Sequence, residues 1–401
     1  MTNYILFDLI ADRKNLLPLT YVRPIAEIRL GITTITEKWS LLLKNKLSFL
    51  TENYLSEKYS YQPAEGQNCY INGAIVPSEN LIKAIHFLSP NTKLTCGNKL
   101  VAFCVEGTRI NYENYEMISA SFENIVFEEA LIYVNKPSVI FQKNGEVLHS
   151  DFALLTKDRS SQPLSSSNKL IGDSAKIFIE EGATVEGSIL NTNTGVIYIA
   201  KNAEIMEGSM IRGPLALGEE AGIKMGAKIY GATTIGPHCK VGGEVSNCVF
   251  FSYSNKGHDG FLGNSVIAEW CNFGADTNTS NLKNNYGEVD VWNYTSEKHE
   301  DTGLQFHGLI MADHAKSGIN TMFNTGTVVG VSANVFGADF PPKFIPSFTW
   351  GGAAWLRTFI FDKALEVAEK MMQRRNIQLS AADIAILKYV YTKEEKYRKQ
   401  K

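Results

Sequence analysis

One histidine stands in a nearly bare stretch of backbone. His258 lies in Asn-Lys-Gly-His-Asp-Gly-Phe-Leu-Gly (255–263), straight after Lys256-Gly257 and two places before Gly260. Imidazole titrates near neutrality, which suits it to take or give a proton in a reaction. The bland alternative is a turn whose histidine faces water, so the surroundings decide. The other stretch with a hint of chemistry is Asp-Arg-Lys-Asn-Leu-Leu-Pro-Leu-Thr-Tyr-Val-Arg-Pro (12–24), which sets Arg13 and Arg23 on either side of Leu17-Pro18-Leu19-Thr20.

The elements that hold His258 show in the pattern around it. Every sixth residue from Ile199 is a branched aliphatic: Ile205, Ile211, Leu217, Ile223, Ile229, Ile235 and Val241 follow. Four places after each come mostly small residues, such as Ala203, Ser209, Ala221, Ala227 and Cys239. A period of six fits neither a helix nor a lone strand. It fits a chain winding through short parallel strands, three per turn of a triangular prism, with the aliphatic inside each rung. Ile179 and Val185 keep the pattern but lie two residues out of frame, which places a bulge near 190–198. After Val241 the frame slips, and it resumes at Phe261, Ile267 and Phe273. It breaks for a long polar excursion, predicted to project outward, and returns at Met311, Ser317, Phe323, Val329 and Val335. Irregularities in a regular solenoid gather where function needs a loop, and these flank His258.

The predicted architecture is an α/β domain over 1–165, a left-handed parallel β-helix over 166–340 with a projecting insertion at 279–308, and a C-terminal helical segment over 341–401. In the first domain, Asn-Tyr-Ile-Leu-Phe-Asp-Leu-Ile (3–10) and Cys-Tyr-Ile-Asn-Gly-Ala-Ile-Val (69–76) read as buried strands, and 27–43 and 78–88 as helices. A serine-rich stretch at 155–169 reads as the linker to the prism. Past 340, residues 351–376 read as one amphipathic helix and 380–393 as a second capped by Ser380, before a solvated charged tail.

Bulk properties exclude several classes. A net charge of -3 over 401 residues argues against nucleic acid as a partner. No apolar run is long enough to span a membrane, and Asp8 interrupts the apolar start, so no signal peptide is expected. Six cysteines without CxxC pairs fit reduced thiols in a cytoplasmic protein, with no structural zinc.

Together, a nucleotidyltransferase-like front and a hexapeptide prism behind resemble the GlmU-type bifunctional enzymes, which are N-acetylglucosamine-1-phosphate uridylyltransferases and glucosamine-1-phosphate N-acetyltransferases, in their Bacteroidetes-type and archaeal variants. The most specific pieces are Ser254–Ile267, Gly274–Gly287 and Gly318–Gly330. The front half departs from the family: Phe7–Asp12 replaces its glycine-rich loop, Ile25 replaces its lysine, and Asn72 stands where it has a metal-binding aspartate. The resemblance implies Arg13, Thr20 and Arg23 for a nucleotide such as UTP, with Mg2+ as the cation such a domain would use. A neutral amide at 72 is a poorer ligand for that ion. The domain then either retains nucleotidyl transfer or is a relic that binds sugar nucleotide or supports assembly.

For the prism, the resemblance implies His258 as general base on the amino group of an acceptor sugar, with acetyl-CoA as donor. The glycines beside it would let sugar and thioester approach, and their N–H groups could face the oxyanion. Glu244 matches a glutamate close to that histidine. Asn272 and Asn281 match sugar- and acetyl-contacting asparagines, Lys283 a loop lysine, and Phe261 a sugar-contacting tyrosine. Ser246 and Tyr230 stand where the family has phosphate-pairing cations, so Lys256 or Lys228 would have to substitute. Ser317, Gly318 and Ile319 would line the pantetheine arm, with Lys343, Arg357 and Lys363 as candidates for the CoA phosphates. The resemblance also implies a homotrimer with active sites between prisms. The rivals are a sugar-nucleotide-binding scaffold or regulator, an O-acetyltransferase, and a zinc hydratase for which no close-spaced histidine set is found.

Overall fold

The computed structural model describes residues 2–107 and 109–399. The first element is Asn3–Phe7, which pairs in parallel with Ser48–Leu50 and Gln67–Asn72. Lys99–Glu106 then runs antiparallel between Gln67–Asn72 and Thr92–Cys96, and Glu123–Val126 closes this six-stranded sheet. The helix expected over 27–43 forms only at Ile35–Leu43, started by a Thr34–Glu37 capping box. Gly31 explains the late start. It has φ +74, and a Cβ there would stand 2.4 Å from an Asp151 carboxylate oxygen.

The expected linker region is preceded by a 20-residue helix, Pro137–Thr156. Asn144 on that helix donates to the Ala232 carbonyl at 2.8 Å and accepts from Thr234 at 3.0 Å. Leu148 joins Ile32, Phe178, Tyr198 and Ala216 in a small apolar cluster. The first domain is thus fastened along one side of the solenoid.

The solenoid is a stack of short parallel strands in three sheets. Its interior is one file after another of aliphatics, from Ile177 to Ile345. Coils from Ile199 to Leu217 to Ile235 keep the 18-residue turn that the sixfold period demands. The coil from Ile179 to Ile199 carries two extra residues, and the one from Ile235 to Phe250 is three short. The frame therefore resumes differently from the sequence expectation: Leu262, paired with Val245, fills the rung and Phe261 faces outward. One corner stacks His238, Tyr253, Trp270 and His314, with ring centroids 4.6, 4.2 and 6.2 Å apart.

The excursion leaves the coil after Asn278–Thr279 and forms the hairpin Asp290–Asn293 with Lys298–Asp301. It packs on its own chain instead of projecting. Trp292 stacks on Phe344 at 4.1 Å, Tyr294 meets Tyr21 edge-on, and Thr295 donates to Asn15. These aromatics explain the fold-back, because their burial is worth more against the body than in water. The single helix expected at 351–376 is also revised. Thr349–Gly351 pairs with Leu356–Thr358, and the helix runs from Phe361 to Gln373. Helix Ala381–Lys393 follows with the expected Ser380 cap, completed by Asp383. The tail expected to be solvated packs at Glu394 and Tyr397, both buried; its last two residues lie outside those described. Among the described residues no helix is long and apolar enough to cross a membrane.

Candidate active site

His258 is exposed at the corner between two solenoid sheets. The turn that carries it closes over Gly243. A Cβ there would meet the His258 carbonyl at 2.8 Å and the Asp259 Cα at 2.9 Å, and Gly243 itself has φ +71. Gly260 is equally confined, with φ +112 and the Thr277 carbonyl 2.2 Å from the Cβ position.

The imidazole lines a cleft of about 870 Å3 between one solenoid sheet and the C-terminal end of helix Phe361–Gln373. The sheet presents an outward file of cross-strand neighbours: Lys240, Asn255, Asn272 and Lys316. Lys224 stands at the rim, and Lys370, Arg374 and Arg375 come from the helix side. Among the described residues no carboxylate lines the cleft, and Lys224, Lys240, Lys316, Arg374 and Arg375 form no ion pair with one. Arg375 instead donates to the His238 carbonyl and the Asn255 side chain, and Lys316 to the His314 carbonyl. Burial pushes the Lys316 ammonium down to about 8, and burial with the charges of Arg375 and Lys224 lowers that of Lys240. Cations crowded without carboxylates make a field that attracts an anion.

Asn272 and Ile319, both expected from the sequence, open on this cleft with His258. Gly318 backs it through close backbone contact with Gly274, whose Cβ position is 2.3 Å from the Gly318 carbonyl carbon. Ser317 is interior and bonds to Thr277 at 2.9 Å. Around the corner, on the next sheet, lie Tyr230, Glu244 and Phe261. Tyr230 donates to Glu244 at 2.6 Å, which pushes its phenol up to about 12. Glu244 reaches the histidine turn through its backbone, donating to the Gly260 carbonyl, and no hydrogen bond joins the two side chains. Asn281 bonds to Asn264 on that same side. The expected residues thus fall on two surfaces that meet at His258.

Several expected cations are placed elsewhere, among them Arg357, over the Trp355 ring, and Lys363, paired with Glu366. Lys256 points into the coil, 2 % exposed, and donates to the carbonyls of Gly242 and His258, so it does not face the cleft as a phosphate partner. Lys283 and Lys343 both bond to Asp290, the first residue of the hairpin. Burial alone would raise that carboxyl, but the two ammonium groups hold it well below the usual range. The helix-borne cations of the cleft were missed because Arg375 lies over a hundred residues from the coils it faces; the run Lys370 to Arg375 was their only signal.

In the first domain Arg13, Thr20 and Arg23 are all buried. Arg13 donates to Asp8 and to the Arg23 carbonyl at 2.9 Å each and to the Thr20 carbonyl, while the Thr20 hydroxyl returns a bond to the Arg13 carbonyl. Arg23 forms a bidentate pair with Asp313 on the solenoid and lies 3.2 Å from Glu269. Both Asp8 carboxylate oxygens are engaged, by Arg13, Thr51 and the Ile25 N–H. Asn72 donates to Leu100 and accepts from the Ala74 N–H. With these groups so occupied, the residues at the ends of the two central strands do not fit Mg2+. Among the described residues no group of three His, Cys, Asp or Glu side chains is arranged to hold a metal.

Residues 4–160 match the family model described as sugar nucleotidyl transferase. A bifunctional sugar-1-phosphate nucleotidylyltransferase/acetyltransferase of Sulfurisphaera tokodaii is 31% identical over 144 residues, 35% of each chain. A bifunctional protein GlmU of Methanocaldococcus jannaschii is 36% identical over 87 residues, 22% of this chain and 21% of that one. The matches span about a third or less of those relatives. The polySia-specific acetyltransferase NeuO overlaps 52% of this chain and all of its own at 11% identity and a TM-score of 0.26, and the strand pairing above stands without it. Over these stretches the chain is similar to bifunctional GlmU-type proteins, and residues 4–160 are similar to sugar nucleotidyl transferases.

Proposed function

We propose that the solenoid is an acetyl-CoA-dependent N-acetyltransferase acting on an amino-sugar phosphate, with glucosamine-1-phosphate the first acceptor to try. The observation that carries this is the exposed imidazole of His258 in a cleft that no carboxylate among the described residues lines and where Lys224, Lys240, Lys316, Arg374 and Arg375 form no ion pair. CoA brings three phosphates, and the cations of Lys240, Arg374 and Arg375 would meet them. Its pantetheine arm would run past Ile319 and Gly274 toward the corner. The acceptor would lie on the Tyr230, Glu244 and Phe261 side. His258 removes the proton from the amine as the nitrogen attacks the thioester carbonyl. The tetrahedral intermediate collapses, the C–S bond breaks, and the CoA thiolate leaves and is protonated. The N–H groups of the 257–260 turn supply the nearest donors for the oxyanion.

The exposed Ile189, Met210 and Tyr230 share one sheet of the solenoid, and they support packing between copies in a homotrimer. Six free thiols and the donor itself support a cytoplasmic setting. Nucleotidyl transfer is a second reading, favoured by the family match over residues 4–160. Against it, the groups that would bind nucleotide and Mg2+ are internally bonded.

The test is to incubate the purified chain with acetyl-CoA and glucosamine-1-phosphate and to follow CoA thiol and N-acetylated product. Product with this acceptor supports the reading, and none with this or any other amino sugar phosphate removes it. UTP, Mg2+ and N-acetylglucosamine-1-phosphate must release pyrophosphate if the front domain is active.

A further inference from the structure

Lys256 occupies a rung that its neighbours give to carbon. Down one inner file of the solenoid run Val185, Ile205, Ile223 and Val241, each paired in register with the next, and the residue paired with Val241 is Lys256. Phe273 and Ser317 follow on later coils. A lysine in such a file gives up its hydration, which is costly unless its donors find partners. They do: the ammonium donates to the Gly242 carbonyl at 3.0 Å and to the His258 carbonyl at 2.9 Å. These carbonyls belong to successive coils at the same corner. Burial pushes the group down to about 8, with Asp259 and Asp276 favouring its charge.

The corner is closely packed but has few other hydrogen bonds to fix it. Gly242, Gly243, Gly257 and Gly260 bring no side chains. Of the backbone groups in 257–260, the described contacts tie down the Gly260 carbonyl, through Glu244 N–H at 3.3 Å, and the His258 carbonyl, through Lys256. Glycine-rich backbone with few hydrogen bonds has more conformational freedom to restrain than other backbone.

We propose that Lys256 is a positioning residue, an internal pin that holds the backbone of His258 from inside the coil and so sets where the imidazole stands. The proposal rests on His258 acting as the base. Positioning matters because a misplacement of about 1 Å can cost on the order of a hundredfold in rate.

The test uses the full-length chain with Lys256→Val, which restores the aliphatic rung, and Lys256→Met, which keeps the length. Replacing a buried ion by a well-packed apolar group is commonly neutral or stabilising, so the valine variant should melt at or above the wild-type temperature. In both variants kcat should fall on the order of a hundredfold. KM for acetyl-CoA and glucosamine-1-phosphate should stay within about threefold, because binding surfaces are untouched. Amide exchange should quicken in peptides covering 255–263 and remain unchanged in the rest of the solenoid. The proposal is overturned by wild-type kcat in either folded variant, by kcat and melting temperature falling together in both, or by faster exchange throughout the coil. If the wild-type chain acetylates nothing, the functional reading fails, while exchange and melting still decide whether Lys256 pins the corner.

Discussion

Arg13 and Arg23 in the front domain and Lys240, Arg374 and Arg375 around His258 are cations of the same kinds in opposite settings. The first two are buried against Asp8 and Asp313. The others face a wide cleft without a carboxylate. A guanidinium already satisfied by a bidentate carboxylate has little left for phosphate, whereas one surrounded by other cations gains from any anion that arrives. Partner geometry, and not residue type, therefore separates a brace from a binding group. The same contrast explains how the two halves of the chain hold together: Arg23 and Asp313 lie 290 residues apart in sequence and join the front domain to the coil.

The largest effect that would break this comparison lies on the brace side. Arg23→Ala should cost about 3–5 kcal/mol of stability by leaving the Asp313 carboxylate buried and alone, seen as a lower midpoint in urea unfolding. Unchanged stability would make Arg23 available for another role. On the binding side, Arg374→Ala and Arg375→Ala should each raise KM for acetyl-CoA about 10- to 100-fold at little cost in melting temperature. Added salt should weaken CoA binding in the wild type and much less in the double variant. If instead these variants lose stability and keep KM, the cleft is structural.

A smaller effect concerns acid. Burial holds the His314 imidazole down to about 3 and that of His307 to about 4. The folded protein therefore refuses protons that the unfolded chain accepts once pH drops below about 6.5, and stability declines from there toward the folded values. His314→Asn should flatten that decline, measured as unfolding free energy against pH. An unaltered acid slope would show that His314 does not govern it.

Much of the coil was legible in the sequence because its inner files are aliphatic at a fixed period, from Ile199 to Val241. The bulge before Ile199 was legible for the same reason. Lys256 was not, because the shortened coil from Val241 moves the inner rung to a residue that looks like a surface cation. His258, Asn272 and Ile319, singled out by resemblance, line one cleft, but the helix that roofs it is distant in sequence. The arginines of the front domain were misleading by type: their carboxylate partners come from Asp8, five residues away, and from Asp313 in another part of the fold. The insertion was polar on average, yet Trp292 and Tyr294 decide where it packs.

The most direct test of the account compares CoA release from acetyl-CoA and glucosamine-1-phosphate by the wild-type chain and by His258→Ala, with CoA affinity measured in parallel by calorimetry. Loss of a general base should slow turnover by about 10²- to 10⁴-fold while CoA binds the variant as before. Equal turnover in the two proteins would contradict the assignment of His258 as the base.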